Sequence, residues 1–209
     1  GVVSGHAPGT VTITAKARSG GATTSCTVAV KQLINGFVVY GQEQLHQCWA
    51  ACAKMLAAQY IRNTNGDDSR LHNSLANDIS AIGETPGEGN DSGAENRLIN
   101  YYLYRSNNYS SLAMKNSPLT KAEIITLINA QTPIIMSATH YTTEGIDDEE
   151  LGHAYVIYGY YYKSNGQFYL EYVDPSSNNW NGGLKSKSYD DLIAFPPAVD
   201  GYVWTTSRY

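Results

Sequence analysis

The stretch from Gln42 to Arg62, QEQLHQCWAACAKMLAAQYIR, decides the fold. From Cys48 onward it is rich in alanine, leucine and methionine and contains neither glycine nor proline, which predicts a helix. Cys48 therefore stands on the first turn, where the backbone dipole favours a thiolate. Gln42 lies six residues upstream, and its side-chain amide can donate a hydrogen bond to the same oxyanion as the Cys48 backbone N–H.

A second motif, GHAYVIYGY over residues 152–160, supplies a base for such a thiol. His153 opens a strongly β-forming run, where its ring would be held rigidly within reach of a nucleophile. Asp174 ends the next predicted strand, and Asn165-Gly166 between the two strands is typical of a hairpin turn. If the strands are neighbours, Asp174 lies beside His153, where a carboxylate orients the imidazole and stabilises its cation.

Each of these roles has a rival in the sequence. The alternatives are His140 for the base, Asp147, Asp148 or Asn178 for the carboxylate position, and Gln44 or Gln47 for the oxyanion donor. Asp174 also precedes Pro175, and a turn-forming Asp-Pro is the other interpretation of that position. Cys52 falls one helical turn after Cys48 and is expected to pack in the core, because only His46 lies nearby and a regular metal-ligand set is absent.

The remaining pattern places helices before strands. Helices are predicted over 48–62, 68–82, 94–104 and 120–130, the last from the capping-box spacing Thr120-x-x-Glu123. Strands are predicted over 134–138, 154–162, 168–173 and 202–206. Helices first and antiparallel strands second indicate an α+β domain with two unlike halves.

Composition excludes two classes of function. The chain has 209 residues and a net charge of −5, from 14 Lys and Arg against 19 Asp and Glu, with no basic cluster. This argues against a nucleic-acid binder and against a polybasic membrane-surface protein. No apolar run approaches the ~20 residues that a membrane-spanning helix needs. The three cysteines are an odd number, so at least one is free unless it pairs between chains.

Residues 1–31 differ from the rest, with a short strand predicted over residues 1–4 and alternating strands on either side of the turn Ser19-Gly20-Gly21. The pattern GVVSGHAPGTVTITA followed by SCTVAV resembles the C-terminal end of a bacterial immunoglobulin-like domain of the group 2 type. The resemblance implies further immunoglobulin-like domains upstream in a secreted or cell-surface bacterial protein, with Cys26 buried in this segment. Residues 1–31 are then strands of such a domain, 32–37 a linker, and 38–209 a separate domain. A spacer, an inhibitory propeptide and a truncated domain all stay open.

The order of Gln42, Cys48-Trp49 on a helix, Gly152-His153-Ala154 on a strand and Asp174 at a strand end resembles the papain-like cysteine proteases. The compact bacterial branch is most similar, including staphopain-like enzymes, effector proteases of plant pathogens and leader peptidases of bacteriocin exporters. The resemblance implies a papain-like fold with Cys48 on a helical half and His153 on an antiparallel β half.

The resemblance also implies roles for individual residues and a function. Cys48 would be the nucleophile, His153 the base, Asp174 the orienter and Gln42 the oxyanion donor, with Trp49 and Trp180 at the substrate and no metal or cofactor. Many relatives carry Ser-Trp directly after the orienting residue, whereas Pro175 follows Asp174 here. The expected function is a secreted endopeptidase acting on proteins or peptides. A transglutaminase or amidase of the same fold and a non-catalytic surface-binding protein are the alternatives.

Overall fold

The computed structural model describes residues 5–87, 93–104, 113–142, 145–146, 152–176, 179, 182–194 and 201–209. Its helices are α1 (Cys48–Thr64), α2 (Leu75–Ala81), α3 (Ala94–Tyr102), α4 (Lys121–Asn129) and α5 (Tyr189–Ile193). Its strands are β1 (Gly9–Lys16), β2 (Thr23–Val30), β3 (Gln32–Leu33), β4 (Met114–Lys115), β5 (Ile134–Thr142), β6 (Gly145–Ile146), β7 (His153–Tyr162), β8 (Phe168–Asp174), β9 (Gly183–Ser188) and β10 (Gly201–Arg208). The α+β class is confirmed.

Two helices begin where local signals predict. Helix α1 starts at Cys48, and α4 starts after a complete capping box between Thr120 and Glu123. The helix predicted over 68–82 is wrong in its first half: a 3₁₀ turn occupies Ser69–His72, and α2 begins only at Leu75. The break arises because Asn73 is extended and the Ser74 side chain accepts from the Asn77 N–H, which starts a new helix.

Helix α1 is the centre of the helical half. It is buried along almost its whole length from Trp49 to Ile61 and packs against α3 and β7. Alanine-rich helices allow such close approach on several faces, and a helix that is apolar on all sides belongs in a core. Cys48, the first residue of α1, is partly exposed and is thereby held at the boundary with the sheet.

The second half is an antiparallel sheet in the order β4-β10-β5-β7-β8-β9, with β3 paired to β7 and β6 to β5. The predicted hairpin between β7 and β8 is confirmed, and Gly166 adopts the φ of +79° that the turn requires. Gly159 is required by β3, because a Cβ there would lie 2.4 Å from the Leu33 side chain.

Five elements have no counterpart in the sequence pattern: β3, β4, β6, β9 and α5. Strand β9 reads GLKSKS, and only its two end residues are buried. β9 is an edge strand held by pairing with β8. Its sequence therefore shows no alternation of buried and exposed side chains that would predict a strand.

Strands β1 and β2 form a separate two-stranded hairpin whose side chains are mostly exposed. The expectation that Cys26 is buried is wrong: its thiol is free and exposed, because both faces of the hairpin are open in the described chain. A strand predicted over residues 1–4 lies outside the described residues. In the part of the chain that the structure describes, no helix combines the length and apolarity of a membrane span.

The hairpin is attached at one end of β7. The Thr10 hydroxyl donates to the Tyr162 carbonyl at 2.7 Å, and the Lys31 ammonium pairs with the Glu171 carboxylate at 2.7 Å. His153 begins β7 whereas Tyr162 ends it. At ~3.3 Å per strand residue, the contact at Tyr162 lies roughly 30 Å along β7 from His153. Glu171 pairs with Gly159, so the Lys31 contact lies roughly 20 Å from His153.

Candidate active site

Cys48 is the first residue of α1 and its side chain is partly exposed. All three cysteines lie in described segments and are free thiols. Cys52, one turn further along, is completely buried, and burial, with the neighbouring Cys48 and Asp174, raises the pKa of its thiol well above the ordinary value. Cys52 is therefore a packed, protonated thiol, whereas Cys48 is the one placed at an accessible helix N-terminus.

The pairing of β7 with β8 brings His153 and Asp174 together. Val156 pairs with Val173, so Asp174 falls opposite Tyr155, and His153 lies two residues further on the same face. The His153 Nε2 lies 2.9 Å from the Asp174 Oδ1. The Tyr155 ring meets the imidazole edge-on, with 4.5 Å between ring centroids, and limits its rotation.

The Cys48 thiol lies within hydrogen-bonding reach of the His153 ring. Because Nε2 faces Asp174, Nδ1 is the ring nitrogen left for the sulfur. Burial by itself lowers the pKa of His153, but hydrogen bonds to Asp174 and Cys48, and the charges of both, outweigh it and raise the pKa to about 9. The arrangement favours the imidazolium form of His153 at neutral pH, with the Cys48 sulfur beside it.

Asp174 also forms the Asp-Pro turn that the sequence offered as the alternative to a role beside His153. Its Oδ1 accepts from the Ser176 N–H at 3.1 Å and from the Ser176 hydroxyl at 2.8 Å. This is the Asx-type turn that an Asp two residues before a hydrogen-bond donor forms. Ser176 was missed by sequence reasoning, although the Asp-Pro-Ser order carries the signal for this turn.

Gln42 lies in the loop before α1, and its side chain is buried, with 3% exposed. Its backbone N–H donates to the Pro175 carbonyl at 3.0 Å, which ties this loop to the turn after Asp174. Its Nε2 donates to the Gln44 carbonyl at 2.9 Å. An amide nitrogen has two N–H groups, so the second is left for a ligand. Among the rivals for this role, Gln44 is exposed and the Gln47 side chain is fully buried.

The remaining residues that the sequence suggested for the site are either packed in the core or outside the described residues. Trp49 is buried, with 5% exposed, and packs in the core, so its contact with substrate stays a prediction. Trp180, Asp147, Asp148 and Asn178 lie outside the described residues, as does the side chain of His140. Across the described ranges no cluster of His, Cys, Asp or Glu could hold a metal ion.

The fold and the comparisons with known proteins define the same class of protein, a papain-like cysteine peptidase. Residues 34–192 match the model of the Peptidase_C39 like family, and the chain belongs to that family. The structure is similar to that of a recombinant stem bromelain precursor, with a TM-score of 0.53 and 15% sequence identity over 83% of this chain and 67% of that chain. At this identity the likeness shows the papain-like fold alone. No curated protein matches the chain.

Proposed function

We propose that the chain is an endopeptidase that hydrolyses peptide bonds with Cys48 as nucleophile, His153 as base and Asp174 as orienter. The observation that carries the proposal is the imidazole held between the Cys48 thiol and the Asp174 carboxylate, with its pKa raised to about 9. A cysteine paired in this way is activated without a metal or cofactor. The partly exposed Cys48 at a helix N-terminus is accessible to a substrate.

The proposed reaction has two halves. The Cys48 sulfur forms a bond to the substrate carbonyl carbon, and the electron pair of the C=O bond moves to oxygen. The Cys48 N–H and the free N–H of the Gln42 amide stabilise this oxyanion. Its collapse breaks the C–N bond while His153 gives its proton to the leaving amine, which leaves a thioester on Cys48. Water then attacks the thioester, His153 takes the proton of the water, and the thiolate leaves.

The pH dependence of kcat/KM follows from the raised pKa of His153. The active pair needs the imidazolium, which is lost as pH rises through about 9. We therefore expect kcat/KM to fall by about tenfold per pH unit above that value. The measurement is hydrolysis of a fluorogenic peptide from pH 5 to 10.5.

The same pKa also affects stability. The pKa of His153 in the folded chain is higher than the usual ~6.5 of an unfolded chain. The stability that the protonated His153 contributes is therefore complete below about pH 6.5 and is lost as pH rises through about 9.

The Asp174→Asn variant is the matched comparison for this profile. It removes the negative charge that helps to hold the proton on His153, so the fall in activity should begin at lower pH. Asp190→Asn, an identical change at an exposed carboxylate of α5, should leave the profile where it is. An Asp174→Asn profile identical to that of the unmodified chain contradicts the role of Asp174. Products that retain an added primary amine would instead favour the acyltransferase alternative.

The proposed location is outside the cytoplasm of a bacterium, either secreted or on the cell surface. The support is the resemblance of residues 1–31 to a bacterial immunoglobulin-like domain. Detection of the protein in the culture medium or on intact cells by antibody tests the proposal, and recovery only after lysis contradicts it.

Removal of the N-terminal hairpin is expected to leave kcat/KM unchanged within error. The hairpin is attached at the Tyr162 end of β7, far from His153, so it does not cover the site. A chain that begins at Lys31 is the variant of choice, because it keeps the ion pair to the buried Glu171. Activity of both chains on the same fluorogenic peptide is the measurement, and a large increase on truncation would establish an inhibitory propeptide.

A further inference from the structure

The segment that carries Gln42 to the start of α1, residues 42–47, forms no helix or strand. We name it the approach loop. His46 within it has a φ of +60°, in the left-handed region that few non-glycine residues adopt, and the chain reverses there before α1 begins. A loop whose backbone forms no helical or sheet hydrogen bonds needs other contacts to fix its conformation. The position of the Gln42 amide therefore depends on what holds the approach loop.

Gln47 holds the approach loop from the helix side. It occupies the N-cap position of α1, yet its side chain makes no capping bond to that helix. Instead, its Oε1 accepts from the backbone N–H groups of Glu43 and Gln44, each at 3.1 Å. The Gln47 side chain is 0% exposed. It cannot touch a substrate, and its polar end is used to close the loop on itself.

These bonds lead directly to the Gln42 amide. The backbone N–H of Gln44 donates to the Gln47 side chain, and the backbone carbonyl of the same residue accepts from the Gln42 Nε2 at 2.9 Å. Gln47 thus fixes the residue that orients the amide. Two further anchors tie the loop to its surroundings: the Gln42 N–H donates to the Pro175 carbonyl, and the Glu43 carboxylate accepts from the Leu75 N–H at 2.9 Å.

We propose that Gln47 is a positioning residue that holds the approach loop so that the Gln42 amide is aimed at the oxyanion. This inference rests on the proposed function. An oxyanion forms only after the thiolate attacks, so misplacing its donor slows the chemical step and leaves substrate binding nearly intact. Replacing Gln47 with methionine keeps the shape and removes the acceptor. We expect kcat to fall about 10- to 100-fold with little change in KM, short of the roughly 10²–10³-fold cost of deleting an oxyanion donor.

Gln59→Met is the matched control on the same helix. Gln59 is also buried, with 3% exposed, and its Nε2 donates to the Asn63 Oδ1 four residues on at 2.9 Å. It lies eleven residues after Cys48, about 16 Å along the helix axis. Both variants exchange a buried glutamine for methionine in α1, so a general loss of packing affects both. Only Gln47→Met should lower kcat on a fluorogenic peptide substrate.

Alkylation by iodoacetamide separates positioning from activation of the thiol. This reaction displaces iodide at a saturated carbon and forms no oxyanion, so it reports on the Cys48 thiolate alone. The rate is followed by mass spectrometry at the Cys48 peptide, because the exposed Cys26 reacts as well. We expect the rate to be unchanged in Gln47→Met. Gln47→Glu, which keeps an acceptor for the two N–H groups, should recover kcat toward that of the unmodified chain.

The outcomes are separable. A Gln47→Met kcat equal to that of Gln59→Met overturns the positioning role, and so does a loss of alkylation rate that parallels the loss of kcat. If Gln47→Met does not fold by circular dichroism, Gln47→Glu decides: a kcat as low as that of Gln42→Ala overturns the inference, and a kcat near that of the unmodified chain supports it. Absence of hydrolysis by the unmodified chain refutes the proposed function itself.

Discussion

Replacing Cys48 with alanine is expected to lower the rate of casein hydrolysis by at least about 10⁴-fold, because the proposed thioester forms on the Cys48 sulfur. Cys48 alone combines a free thiol, a helix N-terminus and contact with His153. The measurement is release of labelled fragments from an unfolded protein substrate by equal amounts of folded enzyme. Thermal unfolding should be nearly unaffected, since the Cys48 side chain is only partly buried.

Cys52→Ala is the matched control, with the same substitution one helical turn away. Its thiol is buried and protonated, so its loss should reduce stability slightly through lost packing and leave kcat intact. Hydrolysis by Cys48→Ala at the rate of the unmodified chain would refute the proposed nucleophile. Equal inactivity of a folded Cys52→Ala variant would show that the assay reports helix integrity instead.

The second large effect concerns stability and is expected at Asp78 of α2. Its carboxylate is fully buried and accepts from the Tyr102 hydroxyl at 2.7 Å and from the Asn73 amide at 3.2 Å. The Lys54 ammonium of α1 lies 3.5 Å away and is itself 3% exposed. Burial lowers the pKa of Lys54, and the charge and hydrogen bond of Asp78 oppose that change. This polar cluster joins α1, α2 and α3.

Asp78→Ala should reduce the free energy of unfolding by about 3–5 kcal/mol, because the Lys54 ammonium keeps its hydrogen bond to the Asn73 carbonyl but is left buried without the carboxylate it pairs with. Urea denaturation of the unmodified chain and the variant is the measurement. Asp190→Ala is the control, since it breaks an exposed pair with Lys121 at 3.0 Å, for which we expect about 0–1 kcal/mol. A loss at Asp78 no greater than that at Asp190 would contradict the role of the cluster.

Sequence reasoning located the parts of the molecule that depend on local interactions. Helix α1 from Cys48 and the capping box at Thr120 were predicted because their signals lie within a few residues of the element they start. The turn at Gly166 was predicted for the same reason. Where a local signal was overlooked, as at Ser74, the predicted helix was too long.

Edge strand β9 could not be predicted, because its stability comes from pairing with β8 rather than from its own pattern. The anchoring of the approach loop by Gln47 was also beyond the sequence. Several glutamines near Cys48 have the same chemistry, and only the fold buries Gln47 against the backbone of Glu43 and Gln44.

The sequence by itself determined the α+β class, the helix that begins at Cys48 and the strand that begins at His153, because periodicity, capping and composition act over short separations. Only the tertiary structure decided that Asp174 meets His153. That contact depends on the register of β7 with β8, in which Val156 faces Val173. A shift of one residue would turn Asp174 to the opposite face of the sheet, and no local pattern specifies that register.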